Sequence, residues 1–499
     1  MMPMTLEETA AAVRGRLVPP DGRDSARSPV SSVVSDSRRA QAGSLFVAIR
    51  GDRVDGHDFL PAAAESGAIA ALVDHDVPNE ELARIIVPDT VKALGLLARS
   101  VVDRRRSGSQ GSPFTVVGIT GSVGKTTTKD MLHALLRTMG PTVAPVGSFN
   151  NEIGLPLTVC EVGSATRFLI AEMGANHVGE IAGLTRVVPP DIAVVLKVGV
   201  AHLGEFGSVE RIAQAKGEIV QGLVPHGAAV LNAGDARVSA MRRLAPGDVL
   251  WFGLEGDPAH PGMLVGSDVD VDDSDRPSFL MSDGRSSARV QLGIPGRHNV
   301  ANALAAATVA VRLGMRLDQA AEVLSSLTSI SPHRMALGKV RESGVGFTLI
   351  DDSFNANPDS TKAGVDGLVR WHAGLDASDG PRPFRIAVLG AMLELGDDEE
   401  ELHERTGAYA VGAGVDAVIA VGSAADPHVD ALAGSLARGA RAAAETGRVS
   451  VDWVHGAQEA DESIVDLVRV HPNAVVLLKG SHASGLSELA ERWTSTASR

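Results

Sequence analysis

The sequence predicts an α/β protein of three domains: a small N-terminal α/β domain, a central domain with a parallel sheet, and a C-terminal Rossmann-like α/β domain. The chain of 499 residues is long enough to form several separate cores. Two long stretches alternate apolar, β-rich runs with helical patterns, which is typical of parallel strands joined by crossover helices. A polar segment rich in glycine and serine, residues 103–113, precedes them and is predicted to be a linker.

We place the domains at residues 1–110, 111–330 and 331–499. The first contains the strand-like stretches SLFVAIRG and AIAALVD, and the second contains FTVVGIT, RFLIAEM, DIAVVLKV and GAAVLN. The acidic, proline- and glycine-rich stretch between Leu254 and Arg289 predicts an antiparallel excursion or a loop. The third domain alternates again, from GFTLIDD to AVVLLKG, but it lacks a G-x-G-x-x-G motif and therefore does not indicate a dinucleotide site.

The composition is ordinary for a globular protein and argues against several classes of function. A net charge of −15 and an aromatic content of 3% disfavour nucleic-acid binding, which needs a basic face and stacking side chains. The single cysteine, Cys160, fits a reducing compartment. The N-terminal sequence does not match a signal peptide, and no apolar run is long enough to cross a bilayer. We expect a cytoplasmic protein without membrane insertion, and we expect it to be a monomer.

The stretch GITGSVGKTTT has most features of a phosphate-binding loop. In the usual pattern, G-x-x-x-x-G-K-[ST], a glycine stands five places before Gly124, and here that place holds Ile119. An apolar strand precedes the loop and an amphipathic helix follows it, so backbone N–H groups and the helix dipole favour an anion there. We expect Mg²⁺ on the hydroxyl of Thr126 and a nucleotide's phosphates on the loop. The loop residues predicted to bind the nucleotide are Gly121, Ser122, Gly124, Lys125, Thr126 and Thr127.

Two candidate metal ligands follow the strands that come after this loop. Glu172 ends one strand and His202 comes just beyond the next. Each residue alone is more often a helix cap or a loop side chain. Because doubly wound sheets build their sites at the carboxyl ends of strands, the pair beside a phosphate loop predicts a site for a divalent ion.

The early threonine and glycine of ITGSVGKTTT resemble the loop of the Mur ligase family, ATP-dependent enzymes that form amide bonds on peptidoglycan precursors. That family places its leading glycine where Gly118 stands, and the chain has no N-K-x-D motif of small GTPases. In the family, a lysine in an AKGEI context is carbamoylated by CO₂ and becomes an anionic Mg²⁺ ligand, which the resemblance implies for Lys216. The implied catalytic residues are therefore Lys125, Glu172, His202 and Lys216, with ATP and Mg²⁺ as cofactors.

Three further stretches, GSFNNEIGLPLTV, GIPGRHNVANALAA and IDDSFNANPDSTKA, resemble family members that add a dipeptide. This resemblance implies that the terminal carboxylate of UDP-N-acetylmuramoyl-tripeptide is phosphorylated and that D-alanyl-D-alanine attacks the acyl phosphate. It also implies an N-terminal domain that binds the UDP substrate, an ATP-binding central domain and a C-terminal ligase domain. Implied on the nucleotide side are His298, Asn299, Asn302, Arg334 and Asp352. Implied in substrate binding are Ser37, Arg38, Asn150, Asn151, Asn355, Asn357 and Ser360.

Three alternatives stay open. The stretch DDSFNANPDS argues against two of them, a sister ligase that adds one amino acid and a folylpolyglutamate-type enzyme, and the third is a catalytically weakened ATP-binding relative. The chain departs from the family pattern at Lys197, Ala391 and His482, where asparagine, aspartate and arginine are usual. Lys197 could weaken Mg²⁺ binding or pair with a phosphate. The third residue of the tripeptide, lysine or diaminopimelate, is set by a pocket shape that the sequence does not reveal.

Overall fold

The computed structural model describes residues 1–20, 25–51, 54–77, 81–108, 113–200, 203–371, 382–444 and 448–496. Its strands are β1 (Met4–Thr5), β2 (Arg16–Val18), β3 (Pro29–Val30), β4 (Ser32–Val34), β5 (Ser44–Val47), β6 (Ala68–Val73), β7 (Ala83–Ile86), β8 (Thr115–Thr120), β9 (Thr142–Val143), β10 (Phe168–Glu172), β11 (Ile192–Val195), β12 (Ala228–Asn232), β13 (Val249–Leu254), β14 (Leu264–Val271), β15 (Pro277–Ser282), β16 (Ser287–Gln291), β17 (Ala336–Glu342), β18 (Val345–Asp351), β19 (Arg385–Gly390), β20 (Ala417–Val421), β21 (Ser450–Val454) and β22 (Val475–Lys479).

The α-helices are α1 (Leu6–Ala12), α2 (Leu60–Glu65), α3 (Thr90–Ser107), α4 (Lys125–Arg137), α5 (Gly154–Val159), α6 (Glu180–Val187), α7 (Leu203–Phe206), α8 (Val209–Gln221), α9 (Ala236–Ala240), α10 (Asn299–Arg312), α11 (Leu317–Ser326), α12 (Pro358–Arg370), α13 (Glu399–Ala413), α14 (Pro427–Ala443), α15 (Ala457–Val470) and α16 (Leu486–Thr496). Among the described residues, no helix is long and apolar enough to span a membrane.

The N-terminal sheet has five strands in the order β2-β7-β6-β5-β4, and it is parallel except where β2 meets β7. Helix α3 leads from this sheet towards the central domain. It begins after Asp89, whose side chain accepts a hydrogen bond from the backbone N–H of Lys92, a typical N-cap. One apolar core runs without interruption from the N-terminal sheet through α3 to one face of the central sheet.

The predicted linker is wrong in its first residues, because α3 continues to Ser107. The buried guanidinium of Arg105 donates to the carbonyl of Thr166 at 2.8 Å, and Arg106 donates to Asp191 at 3.1 Å. These arginines therefore bind the helix to the central domain, whereas the arginines of a linker would point into solvent. Residues 109–112, at the predicted domain boundary, lie outside the described residues.

The central sheet has nine strands in the order β16-β15-β14-β13-β12-β11-β8-β10-β9. Strands β8 to β14 pair in parallel, which confirms the predicted parallel sheet. Strands β14, β15 and β16 then pair antiparallel, so the stretch after Leu254 is an antiparallel excursion. Helices α4 and α10 pack on one face and α6 and α8 on the other, which places β8 and the loop after it in the middle of the domain.

The C-terminal sheet has six strands in the order β17-β18-β22-β19-β20-β21, parallel except for the β17–β18 pair. Separate apolar clusters cover its two faces. Helix α12 follows β18 and is capped by Asn357, whose side chain accepts from the backbone N–H of Ser360. The three sheets lie within the three ranges predicted for the domains, while the domain limits themselves stay predictions.

Candidate active site

A cavity of about 540 Å³ lies between the central and C-terminal domains. It is lined by most of the residues singled out from the sequence, together with Lys197, Phe354 and Lys479. The predicted residues that line it are Ser122, Gly124, Lys125, Thr126, Thr127, Asn150, Glu172, His298, Asn299, Asn302, Arg334, Asp352, Asn355, Asn357 and Ser360. The fold therefore brings together the loop of one domain and the motif stretches of the other.

The phosphate loop connects β8 to α4, and its shape depends on a glycine. Gly124 has φ +85°, and a Cβ added there would collide with the side chain of Asn302. Asn302 in turn donates to Asn299 at 2.9 Å, and Asn299 donates to the carbonyl of Pro295 at 2.7 Å. The two asparagines predicted on the nucleotide side thus also support the loop from behind.

Lys125 is the first residue of α4 and bends back over the loop, donating to the carbonyl of Gly121 at 2.8 Å. Burial lowers the pKa of its ammonium group; the carboxylate of Glu172 acts in the opposite direction, and Arg334 adds to the lowering. A cation that has given up its hydration at a helix N-terminus is suited to hold phosphate oxygens.

Glu172, at the end of β10, is fully buried, and its two carboxylate oxygens differ sharply. Oε1 accepts hydrogen bonds from Ser148 Oγ at 2.9 Å, Asn150 Nδ2 at 2.8 Å and Thr126 Oγ1 at 3.3 Å. Oε2 is buried and has no hydrogen-bond partner within the described parts of the chain. An orphaned carboxylate oxygen is costly unless a ligand pairs with it, and Mg²⁺ prefers this donor type. The site therefore fits a divalent ion.

Lys216, on α8, is buried but does not line the cavity. Burial, and secondly the positive charge of Lys125, lower the pKa of its amine to about 7. Part of its population is therefore neutral at physiological pH, and a neutral amine is the form that reacts with CO₂. His202, the other predicted metal ligand, lies outside the described residues.

The C-terminal domain contributes charged groups that reach across the cavity. Arg334 donates to Thr126 Oγ1 at 3.2 Å, and its guanidinium lies 4.2 Å from the ring centroid of Phe354. Lys479 Nζ is 2.6 Å from Asp352 Oδ2 and donates to the carbonyl of Asn355 at 2.8 Å. Burial lowers the pKa of Lys479, while the charge of Asp352 raises it.

Sequence reasoning missed Lys479 and Phe354 as site residues. A usable signal existed for Lys479, because it ends the fully buried strand β22 at the sheet edge where parallel sheets build their sites. Phe354 has a weaker signal: it follows two acidic residues in a loop, and its exposure to the cavity depends on the domain contact.

Some predicted residues lie away from the cavity. Ser37 and Arg38 belong to the N-terminal domain, where Arg38 forms two hydrogen bonds with the carboxylate of Asp36. Asn151 accepts from the backbone N–H of Gly154 at 2.9 Å and so shapes the start of α5. Their substrate roles stay predictions.

The three departures from the family pattern occupy different environments. Ala391 is fully buried in an apolar cluster with Val429 and Leu432, where an aspartate would place a charge among hydrocarbon. Lys197 is exposed at the cavity edge, and its carbonyl accepts from the backbone N–H of Ser122. His482 is exposed and begins a short 3-10 helix.

Two further contacts join the central and C-terminal domains through residues that do not line the cavity. The backbone N–H of Gly204 donates to the carbonyl of Glu394 at 3.1 Å, and a Cβ on Gly396 would lie 2.6 Å from Gly204 Cα. Elsewhere, Arg370 Nε is 2.7 Å from the buried carboxylate of Asp275. The two domains therefore approach each other closely enough for backbone to meet backbone.

Comparison with known families finds a match within each of the three domains. Residues 29–101 match the Mur ligase family catalytic domain, residues 119–310 the Mur ligase middle domain, and residues 333–482 the Mur ligase glutamate ligase domain. The chain belongs to the Mur ligase family.

The individual relatives carry more specific names. The UDP-N-acetylmuramoyl-tripeptide–D-alanyl-D-alanine ligase of Mycobacterium tuberculosis is 38% identical over 521 residues, covering 98% of both chains. The enzyme of that name from Escherichia coli is 35% identical, covering 85% of this chain and 86% of its own. Among solved structures, MurF from Acinetobacter baumannii has a TM-score of 0.81 at 28% identity and covers 98% of this chain and 99% of its own. MurF ligase from Thermotoga maritima, in complex with ADP, has a TM-score of 0.72 at 29% identity and covers 93% and 97%.

Proposed function

We propose that the protein is an ATP-dependent ligase that joins D-alanyl-D-alanine to UDP-N-acetylmuramoyl-tripeptide in peptidoglycan synthesis. The relatives that align over 98% of the chain, at 38% identity, carry that activity in their names. The observation that carries the proposal is the cavity, where a phosphate loop and an orphaned buried carboxylate face charged groups of a second domain. ATP and a UDP-linked precursor as substrates fit a cytoplasmic enzyme.

On the central side, the loop N–H groups and Lys125 bind the β- and γ-phosphates of ATP at the N-terminus of α4. Arg334 approaches the same phosphates from the C-terminal domain, since its guanidinium already contacts Thr126. Two cations, one from each domain, would stabilise the charge that develops on the transferred phosphoryl group. The acceptor carboxylate attacks the γ-phosphorus, ADP leaves, and the amine of the dipeptide then displaces phosphate from the acyl phosphate.

Thr126, Glu172, His202 and a carbamoylated Lys216 would hold Mg²⁺, which when bound neutralises phosphate charge. The orphaned Oε2 of Glu172 and the lowered amine pKa of Lys216 support this assignment. Carbamoylation forms one N–C bond between the neutral amine and CO₂ and releases one proton, so it needs no further reactant.

The remaining motif residues serve the substrates. We assign Asn299, Asn302 and Asp352 to the nucleotide; Asp352 is also paired with Lys479, which fixes the direction of its carboxylate. We assign Asn355, Asn357 and Ser360 to the dipeptide, although Asn357 and Ser360 also cap α12. We assign Asn150, Asn151, Ser37 and Arg38 to the UDP-linked substrate, with Arg38 suited to a phosphate by its planar donor fork.

The test is phosphate release from MgATP with UDP-N-acetylmuramoyl-tripeptide and either D-alanyl-D-alanine or D-alanine. We expect release only with the dipeptide, and a product heavier by that dipeptide in mass spectrometry. Release with a single amino acid would assign the protein to a sister ligase. Binding of ATP without release under any condition would support the weakened relative. Comparing tripeptides that contain lysine or diaminopimelate identifies the accepted third residue.

A further inference from the structure

Two charged residues of the loop-helix motif have no part in the proposed chemistry. Lys129 lies one helical turn beyond Lys125 on α4, and only 3% of its side chain is exposed. Its Nζ is 2.7 Å from Oδ1 of the adjacent Asp130. A buried lysine on the helix that carries the phosphate loop requires an explanation, because burying its charge is costly.

The contacts of this pair extend to two other segments of the chain. Lys129 Nζ donates to the carbonyls of Pro145 at 2.9 Å and Gly147 at 3.2 Å, and it lies 3.4 Å from Ser331 Oγ. Asp130 Oδ2 accepts from the backbone N–H of Ser331 at 2.9 Å. The pair therefore joins α4 both to the loop at residues 145–150 and to residues 330–334, which lead into the C-terminal domain.

Each of these two segments carries groups of the proposed site. The loop at 145–150 contains Ser148 and Asn150, which both donate to Glu172 Oε1 and so leave Oε2 free for a ligand. The segment at 330–334 ends at Arg334, which crosses to Thr126. A shift of the Lys129–Asp130 pair would move a metal-side segment and a phosphate-side segment together.

Stability alone does not account for the pair. Replacing a buried ion pair with apolar residues of similar size is often neutral for stability, so a pair of this kind is weak evidence for a stabilising role. An ammonium group has three N–H donors, and here they face a carboxylate and two loop carbonyls. An apolar side chain could fill the same space but could not fix the positions of those carbonyls.

We propose that Lys129 and Asp130 are positioning residues that fix loop 145–150 and segment 330–334 in place relative to the phosphate loop. The inference rests on the proposed function, since it gives those segments their roles. Neither residue touches the reacting atoms. Through this pair, the positions of the groups around Glu172 depend on the position of the segment that begins the C-terminal domain.

The test compares Lys129→Met and Asp130→Asn with Arg137→Met, which removes an exposed cation from the same helix. We expect both pair variants to lower kcat about 100-fold, since small misplacements of catalytic groups have costs of this order. The dissociation constant for ADP should change by less than about threefold, because the phosphate loop is untouched. Arg137→Met should match the wild type in both quantities.

Hydrogen–deuterium exchange provides a readout that does not depend on ligase activity. In Asp130→Asn, which keeps the size of the side chain, amide exchange should accelerate together in residues 145–150 and 330–334 while α10 keeps its protection. Acceleration in only one segment, or a fall in kcat matched by an equal loss of folded protein, would overturn the proposal. If the wild type lacks ligase activity, the proposed function fails, whereas coupled exchange would still establish the structural link.

Discussion

The two walls of the cavity are built in different ways. On the central wall, Glu172 ends β10 and Lys125 follows the neighbouring parallel strand β8 after one short loop, so one sheet and that loop set their separation. On the C-terminal wall, Arg334 and Lys479 come from distant parts of the chain and reach the cavity only because two domains meet.

The partners of the charged groups differ in the same way. On the central wall, Glu172 keeps one buried oxygen without a partner in the described structure, and Lys125 donates only to a backbone carbonyl. On the C-terminal wall, Lys479 is already paired with Asp352, and Arg334 lies over an aromatic ring. The comparison indicates that the central wall keeps a carboxylate oxygen available to a ligand, whereas the charged groups of the C-terminal wall are held by neighbours of their own.

The largest expected effect comes from the central domain, at the buried Lys216. Lys216→Met should lower kcat about 1,000-fold, because the proposed carbamate, an anionic ligand, cannot form. Since its amine has a pKa of about 7, its neutral fraction rises from about a tenth at pH 6 to about nine tenths at pH 8. Carbamate formation should therefore increase with pH over that interval, as measured by ¹³C NMR with labelled CO₂.

The matched control for Lys216 is Lys92→Met, which removes an exposed lysine of α3. It should leave both kcat and the carbamate resonance unchanged. A carbamate signal that persists in Lys216→Met, or activity that survives the substitution, would contradict the assignment.

The second largest effect would break the C-terminal wall at Arg334. Arg334→Lys keeps the charge but loses the planar donor fork, and we expect kcat/KM to fall about 100-fold. Phe354→Leu keeps the bulk but removes the aromatic face, so a fall of about tenfold is expected. Equal effects of the two substitutions would contradict this prediction, since Arg334 would then contribute nothing beyond its packing on Phe354.

An intermediate effect is expected at the backbone contact between the central and C-terminal domains, which involves no proposed catalytic or binding residue. Gly204→Ala would press a methyl group against the backbone of Gly396, and we expect kcat to fall about tenfold because overpacking opposes the contact. ADP affinity should be unchanged. Gly412→Ala, on α13, meets nothing within 4 Å and serves as the control. Equal rates in the two variants would show that this contact does not matter for turnover.

The smallest effect is expected from Lys197→Asn, which restores the residue usual in the family. Lys197 is exposed at the cavity edge, so its attraction to phosphates is screened by water, and the KM for MgATP should rise about threefold. A fall in KM would instead mean that this cation weakens Mg²⁺ binding. Salt screens attraction and repulsion alike, so in either case the difference in KM between Lys197→Asn and the wild type should shrink as ionic strength rises.

The sequence was sufficient for features set by neighbouring residues. Strand β8, the glycine loop and α4 follow one another directly, and their periodicity and turn residues predict them. Lys479 was missed because its partner Asp352 directly follows β18, a strand distant along the chain that only the folded sheet brings beside β22. The linker prediction was wrong for a similar reason. Arg105 looks solvated in sequence, and its burial depends on partners distant along the chain, such as the carbonyl of Thr166.

The double use of asparagines also limits what a motif can reveal. Asn151 and Asn357 stand in stretches that suggest substrate contacts, yet both side chains accept backbone hydrogen bonds at helix starts. A motif of this kind is consistent with both a local and a functional role, and only substitution experiments separate the two.

The continuous apolar core that joins the N-terminal sheet, α3 and one face of the central sheet has a kinetic consequence. It ties the first two domains together, so under the proposed roles the UDP-linked substrate and ATP bind to domains that share one core. The C-terminal domain has apolar clusters of its own, so motion of that domain is the simpler way for reactants to enter and products to leave. We therefore expect an ordered reaction in which ATP and the tripeptide bind first and the dipeptide enters last, with turnover set by the motion of one domain.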